Sequence, residues 1–205
     1  MKLYQSIGPN PGVVKMFIAE KGLEIDRHQV DLLAGENRLP PYLALNPSGT
    51  TPALETSEGL VIAEITAICE YLEELHPSPP LIGQTPMQRA ETRMWVRRID
   101  LGILEPMANG FRYSEGLGLF KDRIPTIPHA AGDLKAIAAK SLAWLNGKMA
   151  GRAFVVGDRF TLADIMLFVF LAFGASVGQP LDPANTHIAA WFERIKARPS
   201  AAAAG

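Results

Sequence analysis

Apolar positions change period repeatedly over the first third of the chain and settle to helical spacing beyond it. Residues 3–6 read as a short strand, cut off by Gly8, Pro9, Pro11 and Gly12. Val13, Val14, Phe17 and Ile18 follow at the spacing of one helix face, and Lys21-Gly22 closes that helix with a glycine stop. Residues 25–30 alternate, with β-branched ends, as a second strand would. The stretch 32–45 is irregular and carries Gly35 and the Pro40-Pro41 pair. Residues 52–56 and 60–62 flank Ser57-Glu58-Gly59 and read as a hairpin. Ile65, Ile68, Cys69, Leu72 and Leu75 then predict a helix ending near His76. The resulting order is β-α-β-α-β-β-α.

Pro77-Ser78-Pro79-Pro80 interrupts every pattern, so we place a linker at 77–86 between a domain at 1–76 and a second at 87–205. Beyond it the signals are all helical. Thr85-Pro86-Met87-Gln88 combines a capping box with proline at the first helical position. The helix it opens is expected to reach Phe111, kinked by Pro106. Residues 116–128 are expected as a loop and 134–149 as a helix. Thr161 and Asp164 form a second capping box ahead of an apolar helix, and Ile188, Trp191, Phe192 and Ile195 mark a last amphipathic one. The alanines at 201–204 read as an unpatterned, frayed tail.

Composition narrows the class. With 48% apolar and 20% charged residues in 205, the chain folds around a real core. Lys and Arg number 20 against 21 Asp and Glu, which gives no electrostatic reason to expect nucleic acid or an anionic membrane as partner. The single cysteine, Cys69, excludes an internal disulfide and any Cys-x-x-Cys pair, and the four histidines have no metal-ligand spacing. The N-terminus has no signal-peptide pattern, and the apolar run 165–177 falls short of the ~20 residues that cross a bilayer. A cytoplasmic protein without a metal is expected.

Two segments carry chemistry. In Asn46-Pro47-Ser48-Gly49-Thr50-Thr51-Pro52, a proline opens a strand after a glycine-bearing loop, a corner at which Thr51 can pair through its main chain with an extended peptide. Glu64-Ile65-Thr66 is a strand-to-helix junction. Its unpaired N–H groups suit a carboxylate and its glutamate suits an ammonium group, together the end of an amino acid.

These motifs, NPSGTTPAL and EITAI, with GDRFTLADIML at 157–167, resemble the cytosolic glutathione transferases, and GPNPGVVKMFIAEKGLE resembles an atypical subgroup known from yeast and bacteria. The resemblance implies an α+β thioredoxin-like N-terminal domain, an all-α C-terminal domain, glutathione as co-substrate and a homodimer. It implies that Thr51 and Pro52 pair with the cysteinyl backbone of glutathione. Glu64, Ile65 and Thr66 would then hold its γ-glutamyl end, and Arg38, beside Asn37, its glycine carboxylate. Ile65 departs from the family's usual serine. Gly8 stands where a catalytic serine would be, and no cysteine lies nearby. Asn10, with N–H groups at Gly12 and Val13, is therefore expected to stabilise the thiolate, with Tyr4 and Ser6 as fallback donors. Arg112 and Tyr113 are candidates for the pocket of a hydrophobic electrophile. The activity implied is addition of glutathione to that electrophile. A peroxidase or dehalogenase on the same site, or a non-catalytic interaction module of the same fold, are the alternatives.

Overall fold

Four short strands, β1 (Lys2–Gln5), β2 (Asp26–Gln29), β3 (Ala53–Glu55) and β4 (Val61–Ala63), make one mixed sheet in the order β2-β1-β3-β4. The structure is a computed structural model describing residues 1–205. Only β1 and β2 are parallel, and a parallel pair needs a crossover, which α1 (Pro9–Glu20) supplies. Leu3 and Leu54, paired in register, are both fully buried, as are Val13, Val14, Phe17 and Ile18 on α1 and Ile68, Cys69 and Leu72 on α3 (Ile65–Leu75). A 3₁₀ turn (Glu36–Arg38) and α2 (Pro40–Leu45) occupy the stretch that looked irregular. The expected order and hairpin are present. The first strand ends one residue earlier than expected, at Gln5, because the Ser6 hydroxyl turns to donate to the Val30 carbonyl at 2.8 Å.

The chain folds as two units, Met1–Ile82 with Arg198–Gly205, and Gly83–Ala197. The segment read as a linker is therefore tied to the first unit as far as Ile82. Lys21, more than part of a helix stop, is buried there. It pairs with Glu73 and donates to the carbonyls of His76 and Pro79 at 2.7 and 2.6 Å. Glu73 in turn accepts from the N–H groups of Leu81 and Ile82 at 3.2 and 2.9 Å. The chain's end also returns. The tail is ordered, not frayed: Pro199–Ala204 forms a 3₁₀ run against α1, and Arg198 grips Glu20 through two bonds of 2.7 and 2.8 Å. Lys15 Nζ donates to the Gly205 carbonyl at 2.7 Å. Alanines packing in a 3₁₀ run leave no amphipathic period to read.

The second unit is helical: α4 (Pro86–Ile99), α5 (Glu105–Arg112), α6 (Leu117–Phe120), α7 (Ala131–Lys148), α8 (Leu162–Ser176) and α9 (Thr186–Lys196). Pro106 does perturb the first long helix, but the adjustment lies on its N-terminal side as a π turn at Asp100–Leu104. Proline removes the N–H that would bond the carbonyl of Gly102, and its ring crowds that carbonyl, so the preceding turn widens. The expected loop at 116–128 contains α6, and α7 begins earlier than expected, at Ala131, behind a 3₁₀ turn at Pro128–Ala130. At Thr85 the box is offset. Its hydroxyl accepts from the Gln88 N–H at 3.2 Å, whereas Gln88 Oε1 accepts from the N–H of Gln84. The Thr161–Asp164 box is formed as expected. No helix is long and apolar enough to cross a membrane.

Candidate functional site

Strand register gathers most of the candidate residues at one end of the sheet. Tyr4 pairs with Ala53, and Ala53 pairs with Ala63. Thr51 and Pro52, which precede β3, therefore lie beside Glu64, which follows β4. The exit of β1, leading to Gly8 and Asn10, lies at the same end. A one-residue slip in either pair would carry half of this set to the other face.

The loop that delivers Thr51 is fastened from within. Asn46 Nδ2 and the Tyr42 hydroxyl both donate to the Thr50 carbonyl, at 2.9 and 2.6 Å, and Asn37 Nδ2 donates to the Gly49 carbonyl at 2.6 Å. Gly49 sits at φ 60°, and a Cβ there would come within 3.0 Å of Arg38 Nη1 and of the Asn37 carbonyl. Glycine is thus required twice over, by its backbone angle and by the approach of Arg38. The Thr51-Pro52 peptide is cis, with both residues buried. Sequence reasoning missed Tyr42 and Asn46 as positioning residues; the Asn-Pro-Ser turn signal marks only the second.

Glu64 is the one non-glycine residue held at positive φ, 70°, in the chain. That conformation costs about 1–3 kcal/mol and concentrates where geometry serves a function. Here it turns the chain from β4 into α3 with no side-chain cap, which leaves the N–H groups of the first turn, Ile65 and Thr66 among them, unpaired at the positive end of the dipole. Glu64 itself is exposed.

Orphaned polar atoms collect at the same end. Asn37 Oδ1, Arg38 Nε and Gln5 Oε1 are buried without a partner. A buried polar atom left unpaired costs about 1–3 kcal/mol, so the adjacent Asn37 and Arg38 fit a site that a polar ligand completes.

The first turn of α1 requires a correction. The helix begins at Pro9, so two of its first three residues have no N–H to offer. Gly12 N–H is committed to the Gly8 carbonyl at 3.3 Å, and Val13, fully buried, lies where a helical N–H bonds the carbonyl four residues back. Gly12 and Val13 are therefore not donors, and Asn10 alone keeps a free N–H in this turn together with its half-buried carboxamide. Tyr4 and Ser6 are committed elsewhere. The Tyr4 hydroxyl donates to Glu55 at 2.9 Å, and burial together with that carboxylate raises its pKa. Ser6 is the hydroxyl already bonded to Val30. Cys69 is fully buried, and burial, then the charges of Glu73 and Glu70, push its thiol well above the usual range, which makes it inert.

Arg112 and Tyr113 lie at the end of α5 in the second unit. Arg112 Nη1 donates to Asn109 Oδ1 at 2.9 Å, and its guanidinium lies 5.9 Å from the Phe120 ring. Tyr113 closes the helix through its N–H.

Comparison with known proteins bears on the family and the fold. The glutathione S-transferase N-terminal domain family matches residues 8–75, and the corresponding C-terminal domain family matches residues 130–199. Glutathione S-transferase 2 of Saccharomyces cerevisiae is 32% identical over 198 residues, covering 94% of this chain and 84% of that protein. The crystal structure of Gtt2 from the same yeast superposes with a TM-score of 0.93 at 31% identity, over 100% of both chains. A glutathione S-transferase domain-containing protein of Marinobacter aquaeolei gives 0.92 at 35% identity, over 98% of this chain and 100% of that one.

Proposed function

Because this chain belongs to the glutathione S-transferase family, we propose that it binds glutathione at the sheet end described above and delivers its thiolate to an electrophile. Thr51 pairs with the cysteinyl main chain as an added strand would. Glu64 takes the γ-glutamyl ammonium group, and the N–H groups of Ile65 and Thr66 take its carboxylate. Arg38 takes the glycine carboxylate through its guanidinium. The observation that carries this reading is the strained Glu64, together with the unpartnered polar atoms of Asn37 and Arg38, which a protein built only for docking has no reason to maintain.

Asn10 is the group proposed to activate the sulfur. A free thiol of pKa ~8.5 is only a few per cent ionised at neutral pH, and lowering it by ~2 units needs about 2.7 kcal/mol. A helix N-terminus supplies up to ~2 kcal/mol, and a hydrogen bond to an anion adds ~1.5–3. One backbone N–H and one carboxamide at the dipole's end meet that requirement without a hydroxyl. The thiolate then attacks the electrophilic carbon, forming the S–C bond, and the electron pair leaves with the displaced group or settles on the acceptor. Arg112 and Tyr113 are proposed to contact this second substrate. Family membership further leads us to propose a homodimer working in the cytoplasm.

Calorimetry with glutathione, followed by a spectrophotometric assay with an activated aryl halide and with a hydroperoxide, tests the reading. Binding and turnover of the aryl halide are expected. Turnover of the hydroperoxide alone would identify a peroxidase, and absence of binding at millimolar ligand would identify an interaction module. Arg38→Ala is expected to raise KM for glutathione about tenfold with kcat little changed, because a contact remote from sulfur stabilises ground and transition states alike. An unchanged KM in steady-state kinetics would remove Arg38 from the site.

A further inference from the structure

On the α2 side of the sheet lies a cavity of about 270 Å³ that none of the residues assigned to glutathione lines. Three rings stand around it. Tyr4 on β1 and His28 on β2 are neighbours in register, with ring centroids 5.3 Å apart, and Tyr42 on α2 meets Tyr4 edge-on at 6.4 Å. Leu39 and Leu45 supply apolar walls. Glu36 stands at the mouth, where its side chain and that of His28 are 38% and 44% exposed. Its carboxylate is fixed in place: Oε2 accepts from the Asp31 N–H at 2.6 Å, and Oε1 lies 3.4 Å from His28 Nε2.

The charge around these rings is lopsided. Strand alternation puts Lys2, Tyr4, Asp26, His28 and Glu55 on one face of the sheet. With Glu36 and Arg38 of the adjoining 3₁₀ turn, that gives three carboxylates against two cations, Lys2 and Arg38. The Tyr4 phenol donates its proton toward Glu55, which leaves the ring rich in electrons. Lys2 Nζ lies 5.1 Å from the centroid of this ring, so an added cation shares Tyr4 with the chain's own ammonium and rests more on Tyr42 and His28. Aromatic faces with a carboxylate at the rim attract ammonium groups and repel phosphates and carboxylates.

We infer that this cavity is a second binding site, distinct from the glutathione site, for a small organic cation of the alkylammonium class. The headgroup sits among Tyr4, His28 and Tyr42, with Glu36 as its counter-charge, and a short alkyl chain follows Leu39 and Leu45. The inference does not depend on the glutathione reading, because no residue assigned to glutathione lines this cavity, although Tyr42 also holds the Thr50 carbonyl of that site's loop.

Calorimetry on the full chain with choline chloride tests it against the neutral carbon isostere, in which a tert-butyl group replaces trimethylammonium. Choline is expected to bind at least about tenfold more tightly than the isostere, the difference a cation–π cage makes. Glu36→Gln, a rim substitution that leaves the core untouched, is expected to weaken choline severalfold. Tyr42→Leu is expected to weaken it about tenfold, and Tyr42→Phe, which keeps the ring, to restore most of the loss. Saturating glutathione should leave choline affinity unchanged. Equal affinity for choline and its isostere, no saturation by choline at tens of millimolar, indifference to Glu36→Gln, or competition with glutathione would each overturn the inference.

Discussion

Asp164→Ala is expected to destabilise the fold by about 4 kcal/mol or more and to lower the melting temperature by about 10 °C. Asp164 is fully buried near the start of α8, and its carboxylate accepts four hydrogen bonds. Oδ1 takes the Val155 N–H and the Trp191 indole N–H, each at 2.9 Å. Oδ2 takes the Thr161 N–H at 2.9 Å and the Thr161 hydroxyl at 3.2 Å. Truncation removes half of a capping box, worth ~1 kcal/mol, and strands three buried N–H donors at about 1–3 kcal/mol each. The group also gives stability a pH dependence. Burial raises its pKa to about 6 from an ordinary 3.8, against the opposing pull of its hydrogen bonds. A raised native pKa means that the folded state holds the proton more tightly than the unfolded one. This contribution to stability is therefore fully present below pH ~4 and is lost as the pH climbs through about 6. Thermal melts of the wild type and Asp164→Asn should draw together over that window. A gap that widens with pH would show that the hydrogen bonds outweigh burial.

Lys21→Ala is the second large effect, expected at about 3–5 kcal/mol by denaturant unfolding, because it leaves the Glu73 carboxylate buried without its counter-charge. The side chains of Lys21 and Glu73 are 0% and 1% exposed. Between them they reach the carbonyls of His76 and Pro79 and the N–H groups of Leu81 and Ile82, so one ion pair fastens α1, α3 and the proline-rich segment together. Replacing both partners by apolar residues relieves the charge but still strands those main-chain groups. A double-mutant cycle with Lys21→Met and Glu73→Leu should thus give a coupling of about 2 kcal/mol or more, with the double variant still below the wild type. Simple additivity would mean that the two side chains act separately.

The helix and strand order was legible because each short element carries its own period: the Val13 to Ile18 face, the hairpin around Gly59, the capped start at Thr161. Long-range partners were not. Nothing near Asp164 marks Trp191 as the donor that completes its shell, and nothing near Lys21 marks Glu73. The tail was not legible, because an alanine run has no polar face to contrast with a buried one and the clasp of Arg198 on Glu20 spans the chain. At the candidate site the residue types Arg38, Thr51 and Glu64 were readable, but their convergence depends on strand register. The loss of donors at the start of α1 was legible in part. Pro9 and Pro11 are visible in the sequence, and each deletes a donor; only the position of the first turn was needed to see that Asn10 remains.

Titration of the thiolate absorbance of bound glutathione, in the wild type and in Asn10→Ala, tests the central claim most directly. Cys69, the chain's only thiol, is buried and protonated, so the signal belongs to the ligand. The bound thiol is expected to ionise about 2 units below its free value of ~8.5, and Asn10→Ala to return it by about 1 unit while glutathione still binds. A bound thiol that ionises like the free one, or a shift that survives Asn10→Ala intact, would contradict the account.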